Sequence, residues 1–498
     1  MNWPTQDLVA ARAAATPDRT AVIDADRDEG VTYRAYDAAV GCRAAELRAL
    51  AGDDPDRIAL LLDTRPAVAD LFFAAMRLGA TVVPLSVRLT STEVAEQVER
   101  TDPDALICER DTAATAREVF DGPVASVDDS GEADVRALDD RDGVPVEPAT
   151  LTPDTEQLVV FTSGTTGRPK GVRLTIGNLV ASATASAFRL GVDPSDRWLC
   201  CLPTYHMGGL APIVRSALYG STVAIQREFD PASTAGVLDE YDITGVSLVP
   251  TMLSRLLDAG WEPSDHLRFV LLGGAPALDG LLARCRERGV PVHPTYGMTE
   301  TASQIATATP EQTGSHEGTV GQPLLNTTVT IVDPDGDSVP PGESGEIVVS
   351  GPTVTPGYLD PEVTAEAFGE RGLHTGDVGS RDGDGRLWVH NRLDDRIVTG
   401  GENVDPGEVA AVLREHPAVS EAAVVGLDDE EWGERVAALV VPTEDGAPTA
   451  EELDAHCRER LAGFKLPRTV AFAEDLPRTA SGTVDREAVR DRLRDRGE

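Results

Sequence analysis

Lysine is nearly missing from this chain of 498 residues: Lys170 and Lys465 are the only two. Arginine carries almost all the positive charge and is outnumbered, since 44 basic residues face 84 acidic ones for a net charge of −40. Such a surface repels phosphodiester backbones and anionic headgroups, which excludes binding of nucleic acid or membrane by bulk electrostatics. No run approaches the roughly 20 apolar residues that cross a bilayer, so no membrane span is expected. Met1-Asn2-Trp3-Pro4 lacks the basic start and apolar core of a signal peptide. Cysteine is scarce too. The six have no C-x-x-C pair and no metal-ligand spacing with the eight histidines, which points to a reduced, cytoplasmic protein.

The acidic runs Asp139-Asp140-Arg141-Asp142 and Asp428-Asp429-Glu430-Glu431 read as a solvated, screened surface, suited to a high-salt cytoplasm. A halophilic bias that replaces lysine nearly everywhere makes the two that remain candidates for places where an ammonium is needed.

One stretch organises the rest: Phe161-Thr162-Ser163-Gly164-Thr165-Thr166-Gly167-Arg168-Pro169-Lys170-Gly171-Val172. An apolar run at 157–161 reads as a buried strand before it, and the alanine-rich stretch 175–190 has helical spacing after it. Glycines 164, 167 and 171 let backbone N–H groups converge, and the hydroxyls of Thr162, Ser163, Thr165 and Thr166 with Lys170 add donors, a set suited to a polyphosphate. It is not a Walker A loop, because Arg168-Pro169 separates Gly167 from Lys170 and Gly171 follows. A plain surface hairpin is the bland reading; Pro-Lys-Gly behind a buried strand argues against it.

Residues 1–150 alternate helical stretches (8–15, 33–50, 66–78) with strand-like ones (57–62, 81–85), and Gly79 stands where a helix ends in the left-handed conformation. That alternation implies a parallel α/β layer. The Asp-, Gly- and Pro-rich span 121–152 reads as a surface linker. Strands recur at 197–202, 222–225, 245–249 and 269–272, and the carboxyl ends of such strands are where an open sheet places its ligand. The first leads into Tyr205-His206-Met207-Gly208-Gly209, marking His206 as a substrate-site candidate. Thr251 follows the third. Gly273-Gly274-Ala275 follows the fourth and lets backbone approach a flat ring.

Then comes Tyr296-Gly297-Met298-Thr299-Glu300, with an aromatic face, a hydroxyl and a hard carboxylate that suits Mg²⁺. Residues 316–390 turn to short alternating runs between Asp/Gly/Pro clusters, an antiparallel β unit. Inside it Asp377 can accept two hydroxyls at once. Capping signals at Asp405-Pro406-Gly407-Glu408 and Thr449-Ala450-Glu451-Glu452 open helices of a small last domain.

The glycine-rich stretch resembles the phosphate-binding signature of the adenylate-forming superfamily, and Tyr296 to Glu300 resembles its second nucleotide motif. The resemblance covers nearly the whole chain. It implies an α/β fold: a large N-terminal domain (1–393) of stacked α/β layers with a small β unit (about 316–390), and a small mobile α+β C-terminal domain (394–498). It implies ATP, Mg²⁺ and coenzyme A as cofactor and co-substrates, and a small carboxylic acid that becomes an acyl-adenylate and then a thioester. By resemblance Thr162 to Gly167 and Lys170 hold the phosphates, Tyr296 and Gly297 with Gly274 and Ala275 line the adenine, and Thr299 touches the α-phosphate. Glu300 holds magnesium, Asp377 the ribose, and Arg392 ribose and phosphate. Asp394 is the hinge, and Gly400-Gly401 faces a narrow pantetheine tunnel. Self-association is compatible with the sequence, which carries no signature of it.

The family's C-terminal lysine motif is altered here. Pro477-Arg478-Thr479-Ala480-Ser481-Gly482-Thr483 puts Thr483 where the lysine stands, and a hydroxyl does not replace an ammonium beside anionic oxygens. Arg478, Arg486 and Lys465 are the candidate substitutes. Among acids, the strings at 198–209, 271–277 and 295–305 are most similar to the o-succinylbenzoate–CoA ligases of menaquinone synthesis, and Arg215, Ser303 and Gln304 are nominated for the second carboxylate. Other aryl- or fatty-acyl-CoA ligases, and a nucleotide-binding protein without adenylation activity, are the alternatives. A peptide-synthetase module is disfavoured, since no aspartate for a substrate amine stands near His206.

Overall fold

The computed structural model describes residues 6–138, 145–162, 169–277, 279–393, 397–399, 402–404, 406–429, 432–443, 446–461, 463–479 and 483–494, with backbone alone at Val398, Glu402 and Asn403. Two compact units result, Met1–Val329 with Val349–Leu373, and Thr330–Val348 with His374–Glu498. Residues 330–348 and 374–392, read from the sequence as part of the large domain, therefore group with the second unit.

The first unit holds two sheets. Its nine-stranded sheet runs Gln322–Pro323, Ala306–Thr307, Val292–Tyr296, Phe269–Leu272, Gly245–Leu248, Arg197–Cys200, Thr222–Ile225, Thr20–Asp24, Glu29–Thr32. The six strands from Val292–Tyr296 to Thr20–Asp24 are parallel, and the fully buried ones are continuous apolar runs, as strands covered on both faces must be. The eight-stranded sheet runs Gly357–Tyr358, Lys170–Thr175, Glu156–Thr162, Thr81–Pro84, Arg57–Leu61, Ala105–Cys108, Val124–Ser126, Arg136–Ala137.

Helices Leu8–Ala15, Tyr33–Ala51, Pro66–Leu78, Ile176–Leu190 and Met207–Tyr219 share one hydrophobic core with residues of both sheets, Val22 and Val223 on one side and Val82 and Leu158 on the other. A second core packs Pro231–Glu240, Pro250–Asp258 and Asp279–Glu287 on the nine-stranded sheet, and a third packs Ser91–Thr101 and Ala113–Val119 on the eight-stranded one. These are the stacked α/β layers expected.

Two local expectations change. The span 121–152 is not wholly linker: Val124–Ser126 and Arg136–Ala137 extend the sheet edge, because Val124 and Ala125 bury against its core. The glycine-rich loop does not run straight to a helix either. Lys170–Thr175 is a strand paired antiparallel with Glu156–Thr162, with Thr162 opposite Lys170, and only then does Thr175 cap the helix Ile176–Leu190.

In the second unit Gly433–Pro442 pairs antiparallel with Val419–Asp429 and parallel with Thr469–Phe472. Helices Pro406–Arg414 and Ala450–Arg458 cover one face and Arg486–Arg494 the other. The capping box at Thr449 and Glu452 forms as its spacing predicts. That helix ends at Arg458, however, before Gly463. No helix among the described residues is long and apolar enough to cross a membrane, and all six cysteines are free and buried.

Gly245 and Phe269 face each other in adjacent strands, and a Cβ at Gly245 would stand 2.0 Å from the Phe269 ring. Gly245→Ala is expected to destabilise by about 1–3 kcal/mol through overpacking, and Phe269→Ala by about 3–5 kcal/mol through cavity formation. Their combination should fall well short of the sum in urea unfolding, because removing the ring makes room for the methyl. Additive losses would show that the ring is not what demands glycine.

Candidate active site

The four neighbouring parallel strands Arg197–Cys200, Gly245–Leu248, Phe269–Leu272 and Val292–Tyr296 deliver their loops to one edge. Strand order reverses around Arg197–Cys200, which is flanked by Thr222–Ile225 on one side and Gly245–Leu248 on the other; such a switch point opens a crevice at the carboxyl ends. His206 and Thr251 follow the two strands at that switch and both are exposed. His206 caps helix Met207–Tyr219, with its ring 4.9 Å from that of Tyr205. Desolvation by the surrounding walls, then the Arg88 charge, push its pKa below the ordinary 6.5, so the imidazole is neutral at physiological pH. Gly209 is required by crowding, since a Cβ there would lie 2.4 Å from the Pro203 carbonyl oxygen.

Gly274 adopts φ +80° and is exposed, and Ala275 is half-buried. Tyr296 ends its strand half-buried, and Gly297 is exposed where a Cβ would sit 1.7 Å from the Ser303 carbonyl oxygen. Ala302 and Ser303 both take positive φ, +51° and +119°, completing a tight turn after the short helix Thr299–Thr301.

Two candidates from distant parts of the sequence meet through a third residue. Lys170 Nζ lies 5.7 Å from the centre of the Tyr358 ring, and the Tyr358 hydroxyl donates to Glu300 Oε1 at 3.0 Å. Glu300 is 6% exposed. A lone buried carboxylate beside one ammonium fits Mg²⁺, which takes one or two protein oxygens and keeps water and phosphate for the rest. Thr162 stands opposite Lys170 with its hydroxyl 3.5 Å from the lysine carbonyl.

Arg215 is 2% exposed, on helix Met207–Tyr219. Its guanidinium packs 5.3 Å from the Trp198 ring centre and donates to Ser303 Oγ at 3.2 Å. Burial pushes its pKa down, and among the described residues no carboxylate pairs with it. Arg215 and Ser303 are thus brought together. Gln304 donates through its amide nitrogen to Thr307 at 2.7 Å and Thr295 at 3.5 Å, bracing two paired strands.

Within the second unit Asp377 and Arg392 oppose each other in paired strands, with guanidinium and carboxylate 3.3 Å apart. Gly376, at φ +71°, makes the turn between Thr375 and Asp377, and Glu346 accepts from its N–H at 3.1 Å and from His374 Nδ1 at 2.7 Å. Of the three cations nominated for the missing lysine, Lys465 is held by Glu408 at 2.6 Å and Arg478 by Glu421. Arg486 opens helix Arg486–Arg494; desolvation first, then repulsion from Arg490 and Arg392, lowers its pKa, against the pull of Asp377. Thr483 spends its hydroxyl on Thr479 Oγ1 at 2.7 Å. Ser163, Gly164, Thr165, Thr166, Gly167, Asp394, Gly400 and Gly401 lie outside the described residues.

Sequence reasoning missed Tyr358 and Trp198. Both act through contacts with residues remote in the chain, and only the Gly357-Tyr358 pair, a glycine at φ +143° beside an aromatic, offered a local signal.

Residues 9–359 match the AMP-binding enzyme family, and residues 408–483 match the AMP-binding enzyme C-terminal domain. The 2-succinylbenzoate–CoA ligase of Geobacillus kaustophilus (strain HTA426) is 40% identical over 485 residues, spanning 96% of this chain and 95% of the relative. That of Bacillus subtilis (strain 168) is 37% identical over 491 residues, spanning 98% and 97%. Among solved structures, o-succinylbenzoate CoA synthetase (MenE) from Bacillus subtilis, in complex with the acyl-adenylate intermediate OSB-AMP, superposes with a TM-score of 0.87 at 35% identity, covering 98% of each chain. ATP-bound MatB from Rhodopseudomonas palustris gives a TM-score of 0.89 at 28% identity, covering 98% of this chain and 99% of its own. Matched over both its large and its small part, this chain belongs to the AMP-binding enzyme family of the adenylate-forming superfamily.

Proposed function

We propose that this chain is an AMP-forming acid–CoA ligase whose acid is 2-succinylbenzoate, activated for menaquinone synthesis. A carboxylate oxygen attacks the α-phosphorus of ATP and pyrophosphate leaves; the coenzyme A thiolate then attacks the acyl carbon and AMP departs with that oxygen. Both reactants of the first step are anions, so the protein must place donors where charge builds.

Lys170 and the loop from Thr162 to Gly167 bind the triphosphate, and Thr299 hydrogen-bonds the α-phosphate. Tyr296, Gly297, Gly274 and Ala275 line the adenine. Asp377 takes the ribose hydroxyls, and Arg392, already paired with it, orients that carboxylate. Glu300 would hold Mg²⁺, which neutralises phosphate oxygens. Neutral His206 and Thr251 bound the acid by shape and hydrogen bonding rather than charge. Gly400 and Gly401 admit the thin pantetheine, with Asp394 as hinge.

Arg215 is the single observation that carries the choice of acid. Among the described residues this buried guanidinium meets a hydroxyl and a ring but no carboxylate, so it has lost its hydration without gaining a counter-ion there. A substrate with a second carboxylate, distant from the reacting one, supplies it, and Ser303 holds the arginine ready. A monoacid leaves the charge unpaired. For the missing lysine, Arg486 is the substitute we favour, because its charge acts on Arg392 and Asp377, the pair assigned to the ribose. The surplus of acidic residues and the buried free cysteines fit a reducing, high-salt cytoplasm.

Substrate-dependent AMP release is expected with 2-succinylbenzoate and to be at least about 100-fold weaker in kcat/KM with benzoate or a fatty acid, and greater in molar than in dilute potassium chloride. Arg215→Leu should remove that preference while sparing the monoacids. An unchanged preference would separate Arg215 from the second carboxylate. In pyrophosphate exchange Arg486→Ala is expected to lose about 100-fold or more, with Lys465→Ala and Arg478→Ala near wild type. Full exchange in Arg486→Ala would remove it from the chemistry.

A further inference from the structure

We infer that Tyr358 is a positioning residue that couples the phosphate-binding lysine to the magnesium carboxylate, an inference that rests on the ligase reading above. The segment 355–359 is a brace with three fastenings. Leu359 N–H donates to the Gly171 carbonyl at 2.8 Å, and Tyr358 pairs with Val172, which fixes the segment to the strand that starts at Lys170. Thr355 N–H donates to the Glu300 carbonyl at 2.7 Å, which fixes it to the turn that carries Glu300, while the Thr355 hydroxyl bonds the Arg173 carbonyl on the Lys170 strand. Thr364 Oγ1 accepts the Tyr358 N–H at 2.9 Å and sets the direction of the side chain.

Tyr358 itself is 6% exposed and has two working parts. Its ring face lies under Lys170 Nζ at 5.7 Å, within the range where an ammonium is attracted to an aromatic quadrupole. Its hydroxyl donates to one oxygen of the buried Glu300 at 3.0 Å, a charge-assisted bond that fixes the rotamer of the carboxylate. One rigid side chain therefore links the cation assigned to the phosphates with the carboxylate that would hold magnesium. Two χ angles suffice to hold it, whereas Lys170 alone has four rotatable bonds in which to stray.

The test compares wild type, Tyr358→Phe and Tyr358→Ala by calorimetric titration of ATP with and without magnesium, and by pyrophosphate exchange against free magnesium. Tyr358→Phe is expected to bind metal-free ATP like wild type. The magnesium needed for half-maximal exchange should rise about tenfold, with a smaller fall in kcat and an unchanged melting temperature. Tyr358→Ala should weaken metal-free ATP binding as well, because the seat of Lys170 is gone. Equal magnesium dependence in Tyr358→Phe and wild type would overturn the coupling, as would equal losses with and without metal. Absence of exchange in wild type with any acid would refute the ligase reading instead, and the titrations would still decide the role of Tyr358.

Discussion

Bringing one anion onto another is the constraint on which this molecule turns. A triphosphate and a carboxylate repel each other, and here they must meet on a chain whose own net charge is −40. Global electrostatics therefore work against binding, and attraction has to come from a few cations placed within a Debye length of about 10 Å or less. In the first unit Lys170 stands over an aromatic ring, and Arg215 is buried with no carboxylate paired to it among the described residues. One of the chain's two lysines thus stands beside the glycine-rich stretch, where a compact ammonium and a planar guanidinium are not interchangeable.

The layered fold exists to hold those groups. Four parallel strands end at one edge and fix where His206, Thr251, Gly274 and Tyr296 emerge, because strand ends packed on both faces cannot drift. Glycines 209 and 297 stand where backbone leaves no space for a side chain, so the loops at the strand ends are set by steric exclusion as much as by attraction. In the second unit Glu346 does the same work with hydrogen bonds, taking the Gly376 N–H and the His374 ring so that Asp377 follows a defined turn.

Much of this was legible beforehand. Continuous apolar runs such as 269–272 announced buried parallel strands, and Gly79 and Thr449 marked helix ends through capping chemistry that needs only neighbours in sequence. The motifs were visible because each is a continuous string. What stayed hidden depends on long-range contact. The strand Lys170–Thr175 begins with Lys and Gly and shows no clean alternation, so only its pairing with Glu156–Thr162 defines it. The bonds from the Gln304 amide nitrogen to Thr295 and Thr307 likewise appear only once the strands pair. Nothing in local spacing could place Tyr358 between Lys170 and Glu300, residues 188 and 58 positions away by their numbers.

The direct attack of the acid on the α-phosphorus can be followed by one atom. With 2-succinylbenzoate labelled by oxygen-18 in both carboxylates, mass spectrometry of the products should find one heavy oxygen in AMP and none in pyrophosphate. Label in inorganic phosphate, or AMP that carries none, would contradict the adenylation mechanism assigned to this crevice.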